Sequence, residues 1–365
     1  MKIVIFGLTI SSSWGNGHAT LWRGLCRALA GKGHDIVFFE RDVPYYALNR
    51  DLNVIEGGEL VLYAAWAEAR SRASREIDEA DAVVVTSFCP DGVCACDLVL
   101  QSRRPLKVYY DLDTPVTLAY LASGETAPYL GPHDLSGFDL VLSYTGGTAL
   151  DELGRRLGAR LVAPLYGHVD PQRHRPADFN RNYASDLSYL GTYAADRQNS
   201  LESLFITPAR RRPQRKFLIG GAQYPPDFPW HPNIFFVRHL PPSEHPAFFS
   251  SSRMTLNVTR GVMAAHGWCP SGRLFEAAAC GATVLSDWWE GLDRFFTPGE
   301  EILVARTSED AIDALDIADS EIRRIAIRAR ERTLTMHTAE RRSLEFLNLL
   351  ETARSARRTS CAMEV

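Results

Sequence analysis

The first chemical signal in this chain comes from two charged residues spaced one helical turn apart. The stretch "SGRLFEAAACGATVLSD" (271–287) reads as a short helix followed by a strand. Ser271 is a residue type that caps helix starts, and Gly281 suits the left-handed turn that ends one. Arg273 falls in the first turn, where the helix dipole favours an anion over a cation. Glu276 follows at i+3 on the same face. Arginine before glutamate is the poorer order for an intrahelical pair, and an exposed pair contributes only about 0.3–0.5 kcal/mol. A diphosphate at this helix start would neutralise Arg273 and suit the dipole, while Glu276 accepts two ribose hydroxyls. Charged hydrogen bonds of that kind are worth about 1.5–3 kcal/mol each. The magnitudes favour a bound ligand over a surface ion pair.

Three further stretches place reactive residue types at the ends of apolar runs. In "SSSWGNGHAT" (11–20), Gly15, Asn16 and Gly17 form a phosphate or acceptor loop whose glycines let the backbone approach a ligand. His18 follows as a general base, with a pKa readily tuned near neutrality. The spacing is not the dinucleotide pattern GxGxxG, because Ala19 and Thr20 follow His18 with no third glycine. In "YYDLDTPVT" (109–117), Asp111 and Asp113 alternate with Leu112 and point to one side of a strand end. One of them orients and charge-stabilises the His18 imidazole, or else caps the next helix. In "LGTYAADRQ" (190–198), Gly191 follows a strand, and Tyr193 and Arg197 are within reach of a phosphate.

These residues need a scaffold that gathers strand ends. "KIVIFG", a glycine loop, an amphipathic helix and "HDIVFFE" make a strand–helix–strand unit. Further strands are expected at 81–88, 106–113 and 138–146, and helices at 62–79 and 147–157. After the proline-rich "PLYGHVDPQRHRPADFNRN" the pattern restarts with "DLSYLGTY", "RKFLIGG", "NIFFVRHL", "MTLNVT", "ATVLSD" and "EEILVA". Strongly apolar strands alternating with helices imply doubly wound parallel sheets, which bind ligands outside the carboxyl ends of their strands. The expected organisation is α/β with two Rossmann-like domains facing across a cleft. Their boundaries are 1–165 and 183–337, joined by a linker at 166–182. A helix at 338–354 crosses back onto the first domain, and a disordered tail at 355–365 ends the chain.

The 365 residues, with 45% hydrophobic and 23% charged content, are those of a two-domain globular protein. A net charge of -4 gives no global pull towards nucleic acid or anionic membranes. "MKIVIFG" is too short for a signal sequence, and no apolar run is long enough to span a membrane. The seven cysteines lie mostly in apolar company; "CPDGVCAC" contains no CxxC pair, so free buried thiols in a reducing cytoplasm are expected and no metal site. The basic run "PARRRPQRK" (208–216) reads as a solvated loop, and "SDWWEGLDRFF" (286–296) as packing or stacking aromatics.

"PSGRLFEAAACGATVLSD" followed by "PGEEILV" resembles the donor-site signature of GT-B glycosyltransferases. Together with "LNVTRGVMAAHGWC", "DLSYLGTY" and "DLDTPVT" it is similar to the CgeB-like (spore-maturation protein) branch of that fold, over almost the whole chain. The resemblance implies that Glu276 binds the donor ribose and Arg273 the diphosphate, with Asn257 and Arg260 lining the same place. Many related enzymes carry another glutamate eight residues before the ribose-binding one; here that position is Trp268. The pairing of His18 with Asp113 or Asp111 resembles the His–Asp dyad of inverting GT-B enzymes. The expected activity is transfer of a sugar from a nucleoside-diphosphate sugar to a hydroxyl or amine acceptor, independent of metal and of any cofactor. The alternatives are a nucleotide-sugar epimerase of the same fold and a non-catalytic sugar-nucleotide-binding protein.

Overall fold

Thirteen apolar runs become strands, and the computed structural model groups them into two parallel sheets. It describes residues 1–15 and 17–363, the last four of these by backbone alone. The chain divides into two units, one of residues 1–166 with the helix Ala339–Met363, the other of residues 167–338.

The first unit holds β1 (Lys2–Gly7), β2 (Asp35–Arg41), β3 (Gly58–Tyr63), β4 (Ala82–Thr86), β5 (Leu106–Asp111), β6 (Leu140–Ser143) and β7 (Val162–Pro164). They lie in the order β3-β2-β1-β4-β5-β6-β7. The strand period explains why both faces are apolar. Ile3 and Ile5 of β1 join a core with Trp22, Leu25 and Leu29 of the helix His18–Ala30 and with Phe346 and Leu350 of the last helix. Val4 and Phe6 enter the opposite core with Phe39, Val83 and Tyr109.

The second unit repeats the plan with β8 (Ser185–Leu190), β9 (Phe217–Gly221), β10 (Ile234–Arg238), β11 (Ser252–Asn257), β12 (Thr283–Ser286) and β13 (Leu303–Val304). Their order is β10-β9-β8-β11-β12-β13, the same winding as in the first sheet. In each sheet the order reverses beside the first strand, between β1 and β4 and between β8 and β11. Ligands of doubly wound sheets bind at the carboxyl ends around such points.

Three expectations are corrected. The helix anticipated at 62–79 begins at Trp66, because "GELVLY" pairs with β2 as the edge strand β3. The segment 167–182 is not a free linker: His168, Val169, Asp170 and His174 are buried, and Val169 bridges Thr338. The tail from 355 is helical through Met363, where Arg357 donates to the carbonyls of Pro105 and Arg103. Asn16 lies outside the described residues, as does the side chain of Cys361. The basic run at 208–216 is consumed by ion pairs of Arg210, Arg211, Arg212 and Arg215 with Glu202, Glu309, Asp316 and Asp186. Among the described residues no helix is long and apolar enough to cross a membrane.

Candidate active site

In the first unit, the loop after β1 is tied down by one carboxylate. Glu40, fully buried at the end of β2, accepts from Thr9 Oγ1 at 2.8 Å, Ile10 N at 2.7 Å, Ser11 N at 3.0 Å and Ser11 Oγ at 2.6 Å. Those hydroxyls are therefore spent on the protein, and they hold the loop that leads to His18. Gly15 takes φ +65, which an L side chain adopts only at a cost, whereas Gly17 is the cap residue of the helix at φ −86.

His18 opens that helix and its Nε2 lies 2.9 Å from Asp113 Oδ2. Asp113 occupies the cap position of the helix Thr114–Ala122, yet its side chain makes no capping bond and turns to the imidazole. Nδ1 of His18 is buried without a hydrogen-bond partner. With Nε2 carrying the proton towards Asp113, Nδ1 is the basic nitrogen. Asp111 is fully buried, its Oδ1 accepts from Asp113 N at 3.2 Å, and its Oδ2 is buried without a hydrogen-bond partner. Burial pushes its pKa up to about 6, with the Asp113 charge adding to the rise. Phe88, at the end of β4, meets the His18 ring edge-on at 6.2 Å.

In the second unit, Ser271 caps the helix Gly272–Ala279 by accepting from Arg273 N at 3.4 Å, and Gly281 follows it at φ +80. Arg273 makes no salt bridge among the described residues. Burial, then the neighbouring Arg197 guanidinium, lower its pKa. Arg197 donates Nη1 to the Thr192 carbonyl at 3.3 Å, while its Nε is buried and unpartnered. Like charges that repel each other near a helix start, where the dipole also favours an anion, leave positive charge there unneutralised by any salt bridge to Arg273 among the described residues. Glu276 acts electrostatically on Arg273 from one turn further in.

The loops around them are close-packed backbone. A Cβ on Gly191 would stand 2.8 Å from Tyr189 Oη, and one on Gly221 only 2.0 Å from the Gly191 carbonyl oxygen. Tyr193 N donates to Ala222 O at 2.9 Å, and its ring packs on Tyr224 and Phe228. Asn257 is buried and donates to Ser286 Oγ at 3.1 Å, leaving Oδ1 without a partner. Arg260 is not free: its Nε lies 3.3 Å from Asp196. The sequence thus brings Gly191, Tyr193, Arg197, Asn257, Arg260, Arg273 and Glu276 to the carboxyl ends of β8 and β11 and the adjoining helix start.

Sequence reasoning missed the residues that hold these loops. Asp287 accepts from Thr259 N and Thr259 Oγ1, both at 3.0 Å, and so shapes the turn before Arg260. Phe88, Gln223, His239 and Trp268 have φ of 60, 64, 50 and 50. Phe88, Gln223 and His239 follow β4, β9 and β10, and Trp268 precedes the Gly272–Ala279 helix. Strain of this kind collects at ligand-binding loops. The backbone N of Trp268 donates to Glu290 O at 2.6 Å. His174, His245 and Glu276 are the described residues whose ligand atoms cluster closely enough to consider a metal ion.

Two parallel sheets of the same winding, one in each unit, match the fold of GT-B glycosyltransferase structures. More particularly, residues 197–348 match the model of a family described as glycosyl transferase-like. The chain is similar in structure to sucrose-phosphate synthase from Thermosynechococcus elongatus, with TM-score 0.70 and 14% identity over 97% of this chain and 99% of that one. It is also similar to HepE from Anabaena in complex with UDP-glucose, with TM-score 0.66 and 13% identity over 96% of this chain and 100% of that one. An alpha-glucosyltransferase in complex with UDP gives TM-score 0.68 and 12% identity over 96% of this chain and 100% of that one. No curated protein sequence matches the chain.

Proposed function

We propose that the protein is a glycosyltransferase of the CgeB-like branch that moves a sugar from a nucleoside-diphosphate donor to a hydroxyl or amine acceptor. The observation that carries this reading is Arg273, half-buried at a helix start under the repulsive influence of the Arg197 guanidinium and without a salt bridge among the described residues. A diphosphate supplies the missing charge. As the glycosidic bond to the leaving group breaks, the negative charge growing on the diphosphate meets two guanidiniums and the helix start, the role a metal serves elsewhere. Glu276 takes the ribose hydroxyls. Structural neighbours crystallised with UDP and UDP-glucose support a uridine donor.

The first unit supplies the acceptor side. Asp113 accepts the Nε2 proton of His18 and stabilises the imidazolium that forms when Nδ1 removes the acceptor's proton. Asp111 fixes the Asp113 backbone and so the carboxylate's aim.

The test is incubation with a panel of UDP-, TDP- and GDP-sugars, alone and with sugar, alcohol and amine acceptors, reading free nucleotide and product mass. Acceptor-dependent release of nucleoside diphosphate with a glycosylated product supports transfer. Conversion of the donor sugar without an acceptor points to an epimerase instead. Donor binding that survives with no turnover under any acceptor points to a binding protein.

A further inference from the structure

We propose that His174, His245 and Glu276 form a reversible site for one zinc-class divalent ion, and that this ion competes with the donor ribose for Glu276. The second half rests on the ribose role proposed above; the first does not. The three side chains come from three separate pieces of the second unit. His174 lies in the segment that follows the domain boundary, His245 starts the helix His245–Ser250, and Glu276 sits one turn into Gly272–Ala279. One ligand atom from each falls within 4.8 Å of the others.

Each of the three has lone pairs to offer. His174 is 6% exposed, and its Nδ1 is buried with no hydrogen-bond partner. The His245 ring packs against His174 at 6.5 Å and edge-on against Phe249 at 6.3 Å between ring centroids, which places the two imidazoles together. The Glu276 carboxylate makes no salt bridge among the described residues. Two imidazoles and a carboxylate are a ligand set for zinc with one position open. Bond lengths of about 2.0–2.1 Å require the three atoms to draw closer by side-chain rotation. Arg273 also faces His245 and opposes the cation, which makes the ion exchangeable rather than a permanent part of the fold.

The experiment uses the full chain stripped with a chelator. Zn²⁺ is titrated by calorimetry and Co²⁺ by visible absorption, with and without saturating UDP. One ion per chain is expected, with a Co²⁺ spectrum of a four- or five-coordinate nitrogen–oxygen site. His174→Gln and His245→Gln, each checked for an unchanged thermal transition, should weaken binding by about tenfold or more. UDP should weaken Zn²⁺ binding, and Zn²⁺ should weaken UDP by the same factor. Absence of a stoichiometric ion, or one unaffected in the double variant, overturns the site. Zn²⁺ and UDP binding independently overturns the competition. UDP titrated in chelator against Glu276→Gln checks the ribose role without metal, so the two readings fail separately.

Discussion

His18 Nε2 and Asp113 Oδ2 lie 2.9 Å apart although 95 residues separate them in the chain. The contact exists because the loop after β1 and the loop after β5 both open at the carboxyl edge of one sheet. His18→Ala should lower kcat by about a hundred- to ten-thousand-fold while leaving UDP affinity unchanged. Asp113→Asn should lower kcat less. Turnover retained in His18→Ala removes the base assignment.

Asp111 gives a pH signature. Its folded pKa, about 6, stands above the ordinary value of 3.8. Between those values the unfolded chain is ionised and the folded chain is protonated, so stability falls as pH rises through that window. The loss is on the order of 3 kcal/mol. His245, lowered to about 4 from 6.5, acts in the opposite direction, with stability lost as pH falls through the same range. Chemical denaturation from pH 4 to 7 should show Asp111→Asn gaining on the wild type with rising pH. Parallel curves would remove the raised pKa.

Glu276 should read the ribose. The wild type should bind UDP more tightly than 2′-deoxy-UDP, and Glu276→Ala should lose that preference. UDP itself should bind about ten- to a hundred-fold more weakly in the variant, the loss of one charged hydrogen bond. Calorimetry with both nucleotides measures this, and a preference that persists in Glu276→Ala contradicts it.

The two arginines make a prediction about the empty protein. Arg273 sits at a helix start beside Arg197 with no carboxylate partner, so removing its charge relieves repulsion and desolvation together. Arg273→Met should melt no lower than the wild type without nucleotide. A fall of several degrees would show that Arg273 serves the fold.

Arg273 and Glu276 were legible in the sequence because their oddity is local: an i, i+3 pair, with the cation at the wrong end of its own helix. The sheets were legible because both faces of β1, β4 and β5 are apolar. Strand β3 escaped because it is an edge strand that passes into the Trp66–Glu79 helix with two residues between them. Glu40, Asp287 and His174 escaped for a different reason. Their roles come from partners on other elements, such as the 31-residue separation of Glu40 from Thr9, and no local pattern records those. The final helix past residue 355 is likewise held by carbonyls some 250 residues earlier, with Arg357 reaching Pro105 at a separation of 252.

The central claim is that Arg273 awaits the diphosphate of a sugar nucleotide. Calorimetric titration of UDP and of uridine into the wild type and Arg273→Met tests it most directly. The account predicts that UDP binds the wild type one to one and much more tightly than uridine, and that this difference collapses in the variant. Equal UDP affinity in the two proteins would contradict it.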